Sequence, residues 1–383
     1  MTKKGFTYLD YSVDVFHSIS EENCDVRWNT FKGEFLTDAY LKVLEASNPS
    51  DLYFRYLVIS NSKNEVCGIA YFQLLKFTGK NVQFKKNLFL SLLIDITLAI
   101  RPFKLLICGN LFAVNFTPYC FHKEKISLGD LSRIIDHYTQ IEKSDAVLLK
   151  DLGTDSSNQL LFSLGYQNYS TDLTMCMDIL GEWKSIADYE KALSKKYRKR
   201  FEKISKAGLA LKRVDLGLSE IEKYSNTLFE LYKQVSAKQT ISMGLIHKNY
   251  FCDFKKSFPE KFKIIGYFEG EKLIAFSSYI DRDILMEVHY IGMNYSFNEK
   301  YNLYFNILFD SLEMAILSGK KLLELGRTAR EAKANLGGHP VYFNDFMKLN
   351  SKLAIKAANW FGTNFQQSMG DEWMKRNPFR KSV

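Results

Sequence analysis

Residues 284–291 of this chain hold the side chains whose types and spacing most readily suggest chemistry. As a strand with a period of two, the stretch puts Leu285, Glu287, His289 and Ile291 on one face and Met286, Val288 and Tyr290 on the other. A carboxylate and an imidazole two residues apart on one face can pass a proton between them. His289 is the better base near neutrality, and Glu287 is placed to orient it or to bind an ammonium group. The same pair would equally make a polar contact on an exposed sheet face, and spacing alone leaves both readings open.

Further along, Arg327, Arg330 and Lys333 recur at spacings of three after a strand spanning 321–326, roughly along one helix face. Charged groups at the carboxyl end of a strand lie where ligands sit in open α/β sheets, and a phosphate or carboxylate is the natural guest. A surface helix paired through Glu331 is the other reading. Asn302, Asn306 and Asp310 recur at four-residue spacing on the preceding helix. Their side chains could bind an acceptor molecule or simply face solvent. Glu324, on the neighbouring strand, is the next carboxylate able to serve as base, and His339, after Gly337 and Gly338, belongs to a turn.

The elements that must position these groups follow from periodicity. Tyr189, Leu193, Tyr197, Phe201 and Ile204 form one stripe of an amphipathic helix. A strand at 209–214 and a helix near 219–235 come next. Three strands then form a meander through the turns Glu269-Gly270 and Asp281-Arg282-Asp283. A helix over 301–317 stops at Ser318-Gly319 before the strand 321–326. The first half repeats this order more faintly, with a hairpin across Asn61–Asn64, a strand at 103–108, a helix at 127–142 and strands at 146–150 and 172–179. The expected fold is α/β with a mixed sheet, duplicated in tandem, with lobes at 1–180 and 181–383.

Composition is that of a globular chain: 46% of the 383 residues are hydrophobic and only six are proline, which excludes disorder as the main state. The six cysteines are scattered with no C-x-x-C pair, so neither a zinc site nor a disulfide framework is expected, and no metal is assigned. The amino terminus lacks an apolar signal core and no run reaches spanning length, which predicts a cytoplasmic protein. The net charge of +9 is concentrated, since residues 184–213 hold eleven Lys or Arg against three acids. Such a face suits coenzyme phosphates, a tRNA or anionic lipid heads, or is a solvated helix face. The apolar run 88–100 and the pattern Leu353, Ala357, Trp360, Phe361, Phe365 suit either core packing or a membrane surface.

The runs Tyr290-Ile-Gly-Met-Asn294, Lys300-Tyr-Asn-Leu-Tyr-Phe-Asn306 and Leu325-Gly-Arg-Thr-Ala-Arg-Glu-Ala-Lys333 with Gly337-Gly338 carry a resemblance. Together they resemble tandem GNAT acyltransferases of the FemAB-like group, and Leu106-Ile-Cys-Gly-Asn110 is similar to the matching strand end of the first lobe. The resemblance implies an N-acyltransferase moving an acyl group from a thioester, acyl-CoA or acyl carrier protein, to an amine such as an amino lipid or cell-envelope precursor. It implies no bound cofactor, and for such a reaction the spacing read above offers His289, Glu287 and Glu324 as catalytic candidates and Asn302 and Asn306 for the acceptor. Backbone N–H groups near Gly292 and Met293 would meet the donor carbonyl, with Arg327, Arg330 and Lys333 anchoring the donor. Aminoacyl-tRNA-dependent transfer to a peptidoglycan precursor is the alternative, and a non-enzymatic module for anionic lipid or nucleic acid is a third. No DNA partner is expected. One departure concerns the R/Q-x-x-G-x-G/A loop of many GNAT enzymes, whose place is taken by Asn294–Tyr301 without a glycine.

Overall fold

The computed structural model describes residues 4–31, 37–47, 52–77, 101–113, 116–152, 158–238, 245–351, 355 and 374–380. These fall into two compact units: the described residues of Met1–Asp172, Thr240–Ile246 and Tyr342–Gly370 form one, and those of Leu173–Gln239, His247–Val341 and Asp371–Val383 the other. The chain's last long strand returns to the first unit, which a division into two consecutive halves does not foresee. The apolar run 88–100 and the positions Leu353, Ala357, Trp360, Phe361 and Phe365 lie outside the described residues. No described helix is long and apolar enough to cross a membrane.

In the first unit the strands are β1 (Lys4–Tyr8), β2 (Tyr11–Phe16), β3 (Leu52–Ser60), β4 (Val66–Phe77), β5 (Phe103–Cys108), β6 (Tyr119–Phe121) and β7 (Ala146–Leu152). They run in the order β1-β2-β3-β4-β5-β7, with β6 on β4. Residues Asn344–Leu349 of the last strand, β14 (His339–Leu349), add antiparallel to β7. Among the described residues of this unit only β5 and β7 are parallel neighbours, and the helix Leu128–Glu142 lies between them in the chain. Ser127 starts that helix by accepting from the Asp130 N–H at 3.0 Å. Leu131, Ile134 and Tyr138 from this helix pack on Phe72, Leu106 and Val147 of the sheet. Burial on both faces explains why β7 reads as a nearly continuous apolar run.

The second unit repeats the plan. Its strands are β8 (Gln167–Asp178, from Leu173 onward), β9 (Lys212–Asp215), β10 (Phe262–Glu269), β11 (Lys272–Arg282), β12 (Leu285–Met293) and β13 (Leu322–Gly326), in the order β8-β13-β12-β11-β10-β9. The meander β10-β11-β12 is antiparallel, while β12 and β13 are parallel and separated in the chain by the helix Leu303–Leu317. Its turns sit at Gly270 (φ 58°), Asp283 (φ 50°) and Gly319 (φ 65°), the left-handed positions that the turn and helix-stop residues supply. Leu308, Leu312 and Ile316 of the helix pack on Met286, Val288 and Leu323, so burial of that face holds the parallel pair in place.

Candidate active site

The parallel pairing of β12 with β13 runs only from Leu285/Leu322 to Glu287/Glu324. Beyond it, β12 continues to Met293 paired with β11 alone, and an edge opens toward the end of β13. N–H groups alternate sides along a strand. The Asn294 N–H bonds the Ile274 carbonyl at 2.9 Å on the β11 side, so those of Met293 and Ile291 point to the open edge. Gly292 points its N–H the other way. A Cβ there would lie 2.2 Å from the Phe276 ring and 2.8 Å from the Tyr232 backbone, so this glycine lets the helix Ser225–Ser236 pack against the strand.

A bulge changes the facing of β12. Register shifts between Ser277 and Tyr279, so that Ser278 alone faces both His289 and Tyr290. The Ser278 hydroxyl accepts from the Tyr290 N–H at 3.0 Å and donates to the Tyr290 carbonyl at 3.2 Å, filling the gap in the ladder. Glu287 and His289 share a face as the alternation predicts. Tyr290 joins them, its ring 4.3 Å from the imidazole, and Ile291 turns to the opposite core, which corrects the strict period-two assignment.

His289 is held at both ends. Its Nδ1 is 3.0 Å from Glu287 Oε1, and its Nε2 is 2.6 Å from the hydroxyl of Tyr250, on the helix Tyr250–Ser257. The side chain is 1% exposed and lies among Phe254, Phe262 and Tyr290. Arg282, at the end of β11, donates to Glu287 Oε2 at 3.4 Å and stands 4.0 Å from Glu324. Two buried carboxylates on adjacent strands thus lie beside one guanidinium. Sequence reasoning passed over Tyr250 and Arg282. The spacing of Tyr250, Phe251 and Phe254 is a helical signal that would have found the first, whereas Arg282 looked like part of a turn.

The three expected anion-binding cations do not share a face. Ala329, left-handed at φ 52°, delays the helix to Arg330–Ala334. Arg327 therefore precedes the helix, half-buried, and Arg330 donates to the Arg327 carbonyl at 3.2 Å. Lys333 points inward, 2% exposed, with Nζ donating to the Gly326 carbonyl at 3.0 Å. Burial, with the nearby Arg330 adding to it, pushes the Lys333 ammonium down to about 7 against the opposing pull of Glu324. Glu331 pairs with Arg376 at 2.6 Å.

The expected acceptor residues also divide. Asn302 is left-handed (φ 46°) and joins the short helix Asn298–Tyr301 to Leu303–Leu317, so the four-residue stripe is broken. Asn306 is 2% exposed and its amide nitrogen donates to the carbonyls of Ile204 and Tyr301, at 3.0 and 2.7 Å. These bonds commit it to holding helix ends. Asp310 pairs with Arg213 at 2.7 Å, and burial raises its carboxyl. Where the glycine-rich loop of other GNAT enzymes would lie, Asn294 accepts from the Ser296 N–H at 3.0 Å and caps a tight turn. His339 Nε2 sits 3.0 Å from Asp178 near the surface. Among the described residues no group of three or more His, Cys, Asp or Glu is arranged to hold a metal ion.

No protein-family model and no curated protein matches the chain. Solved structures do. FemX superposes with a TM-score of 0.53 at 11% identity, over 90% of this chain and 99% of that one. A tandem GNAT protein from the clavulanic acid biosynthesis pathway superposes with a TM-score of 0.50 at 9% identity, over 88% of this chain and 98% of that one. At such identities the likeness is one of architecture, and with the repeated meander, crossover helix and parallel strand of each unit it shows that this chain has the tandem GNAT-like fold.

Proposed function

We propose that the second unit is an N-acyltransferase, moving an acyl group from a thioester to an amine at the opening between β12 and β13. The observation that carries this reading is that one strand, β12, bears both the outward N–H of Met293 and the Glu287–His289 pair, which Tyr250 meets from its helix. In the reaction the amine nitrogen attacks the thioester carbon, a C–N bond forms, and the carbonyl oxygen becomes an oxyanion. The Met293 N–H is aimed to hold that charge. The attacking nitrogen sheds a proton toward His289, with Glu287 steadying the imidazolium that results. Both ring nitrogens are engaged, so the amine must displace the Tyr250 hydroxyl or pass its proton along it. Collapse then breaks the C–S bond and releases a thiolate, which leaves as the thiol on gaining a proton.

Acyl-CoA and acyl carrier protein both fit the donor side. The cap that Asn294 places on Ser296 leaves fewer backbone N–H groups for a pyrophosphate, which favours the carrier protein. Arg327 and Arg330 are the cations assigned to an anionic part of either substrate, and an amino lipid or cell-envelope precursor supplies the amine. A second reading, aminoacyl-tRNA-dependent transfer, is favoured by the likeness to FemX.

A thermal-shift panel of acyl-CoAs, acylated carrier protein and aminoacyl-tRNA tests the choice, because a ligand bound by the native state raises Tm with occupancy. We expect a shift with a thioester and amide product by mass spectrometry when an amine is added. A shift with aminoacyl-tRNA alone selects the second reading. No shift and no product with any of the three overturns both.

A further inference from the structure

We infer that the helix Lys195–Gly208 docks the protein on an anionic lipid surface. The inference goes beyond the proposed reaction and does not depend on it. This helix carries Lys195, Lys196, Arg198, Lys199, Arg200, Lys203 and Lys206 against the single acid Glu202. This fourteen-residue helix thus carries a net charge of +6, against +9 for the whole sequence. Phe201, Ile204 and Gly208 are buried and fasten its other face to the unit's core. Lys195, Lys196, Lys199, Lys203 and Lys206 are exposed, and none of them is ion-paired among the described residues. A helix face of this kind is repelled by itself and stabilised by any closely spaced anions.

The details favour lipid headgroups over nucleic acid. The aromatic residues of the helix point inward, Phe201 against Phe309 with ring centroids 4.7 Å apart, so they offer bases no stacking platform. Arg200 lies over the Phe305 ring at 4.7 Å, which leaves lysines to dominate the outer face. Lysine ammonium groups are mobile point charges, suited to a diffuse anionic plane more than to fixed bidentate contacts. Leu209, directly after the helix and between Lys206 and Lys212, is 78% exposed and is positioned to enter a headgroup layer. The helix end also lies at the working end of the unit. Gly208 packs on Asn306, in the first turns of the helix that follows β12, so a docked protein would present the β12/β13 opening toward amphiphilic substrates.

Flotation of the full chain, without substrate, on vesicles of phosphatidylcholine and on vesicles that also contain phosphatidylglycerol tests this. Binding is expected only to the second, and to weaken with salt. A lysine near an anionic surface contributes about five-fold, so Lys195→Gln, Lys199→Gln and Lys203→Gln together should lower binding on the order of 100-fold with Tm unchanged. Leu209→Ser should weaken it less. Failure to bind the anionic vesicles, equal binding to both kinds, or full binding by a folded triple variant overturns the inference. So does lysine-dependent binding of tRNA by a protein that ignores vesicles, which would assign the helix to RNA.

Discussion

The two units build the same junction and finish it differently. In the first, β5 and β7 pair from Leu105/Ala146 to Cys108/Leu149, and just past them a Cβ on Gly109 would lie 2.7 Å from that of Lys150, so the strands stay close. Side-chain amides, beside one buried ion pair, occupy this end of the unit. Asn110 donates to the Tyr40 hydroxyl at 3.0 Å and accepts from the Phe112 N–H at 2.8 Å, while Gln73 donates to the Tyr71 hydroxyl at 2.8 Å and accepts from the Leu111 N–H at 2.9 Å. Lys150 is paired with its neighbour Asp151. In the second unit the strands part after Glu287/Glu324, and the buried groups around them are ionisable: Tyr250, His289, Glu287, Arg282, Glu324 and Lys333. Under the reaction proposed above, the same topology serves rigidity in one unit and proton chemistry in the other. A satisfied neutral network stabilises, whereas buried titratable groups are costly and persist where they are used.

The contrast breaks most visibly at His289. His289→Ala should lower turnover by about 10²- to 10⁴-fold with little change in donor affinity, as expected for loss of a general base. Unchanged kinetics in steady-state assays would remove the second unit's claim to chemistry. Asn110→Ala, the counterpart change in the first unit, should instead cost about 1–3 kcal/mol in urea unfolding, because the Tyr40 hydroxyl and the Phe112 N–H lose a buried partner. Its kcat should stay at the wild-type value; a fall in kcat in a folded variant would mean the first unit also serves the reaction.

A third effect should come from Lys333 and is read as a slope in pH. Its folded pKa near 7 lies below the usual lysine value of 10.5, so between those limits the unfolded chain binds more protons than the native one. Stability of the wild type should therefore rise with pH from about 7 toward 10.5, relative to Lys333→Met, and the difference should be flat below 7. Parallel stability curves for the two proteins across that range would show that Lys333 is not held neutral.

Much of this was legible before the structure. The meander, the helix stop at Ser318-Gly319 and the approach of Glu287 to His289 rest on local rules: turn residues, a left-handed glycine and the period of two. What was not legible depends on partners far along the chain. The bulge that brings Tyr290 beside His289 is made by Ser278 on the next strand, and no pattern within 284–291 announces it. Lys333 fits an exposed stripe until the left-handed Ala329 delays the helix and turns its side chain inward. Asn306 had the spacing of a surface amide, but Ile204, a hundred residues earlier, supplies the carbonyl that claims it.

The return of β14 to the first unit has a consequence for how the protein is made. The edge of β7 waits for Asn344–Leu349, almost two hundred residues later, so the first sheet cannot be completed until the strands of the second unit have been synthesised. Until then an apolar strand, buried along its full length in the finished protein, stands as an unpaired edge in a growing chain, the kind of surface on which misassembly starts. Synthesis order and assembly order therefore run against each other here: the unit that begins the chain is the last to be sealed.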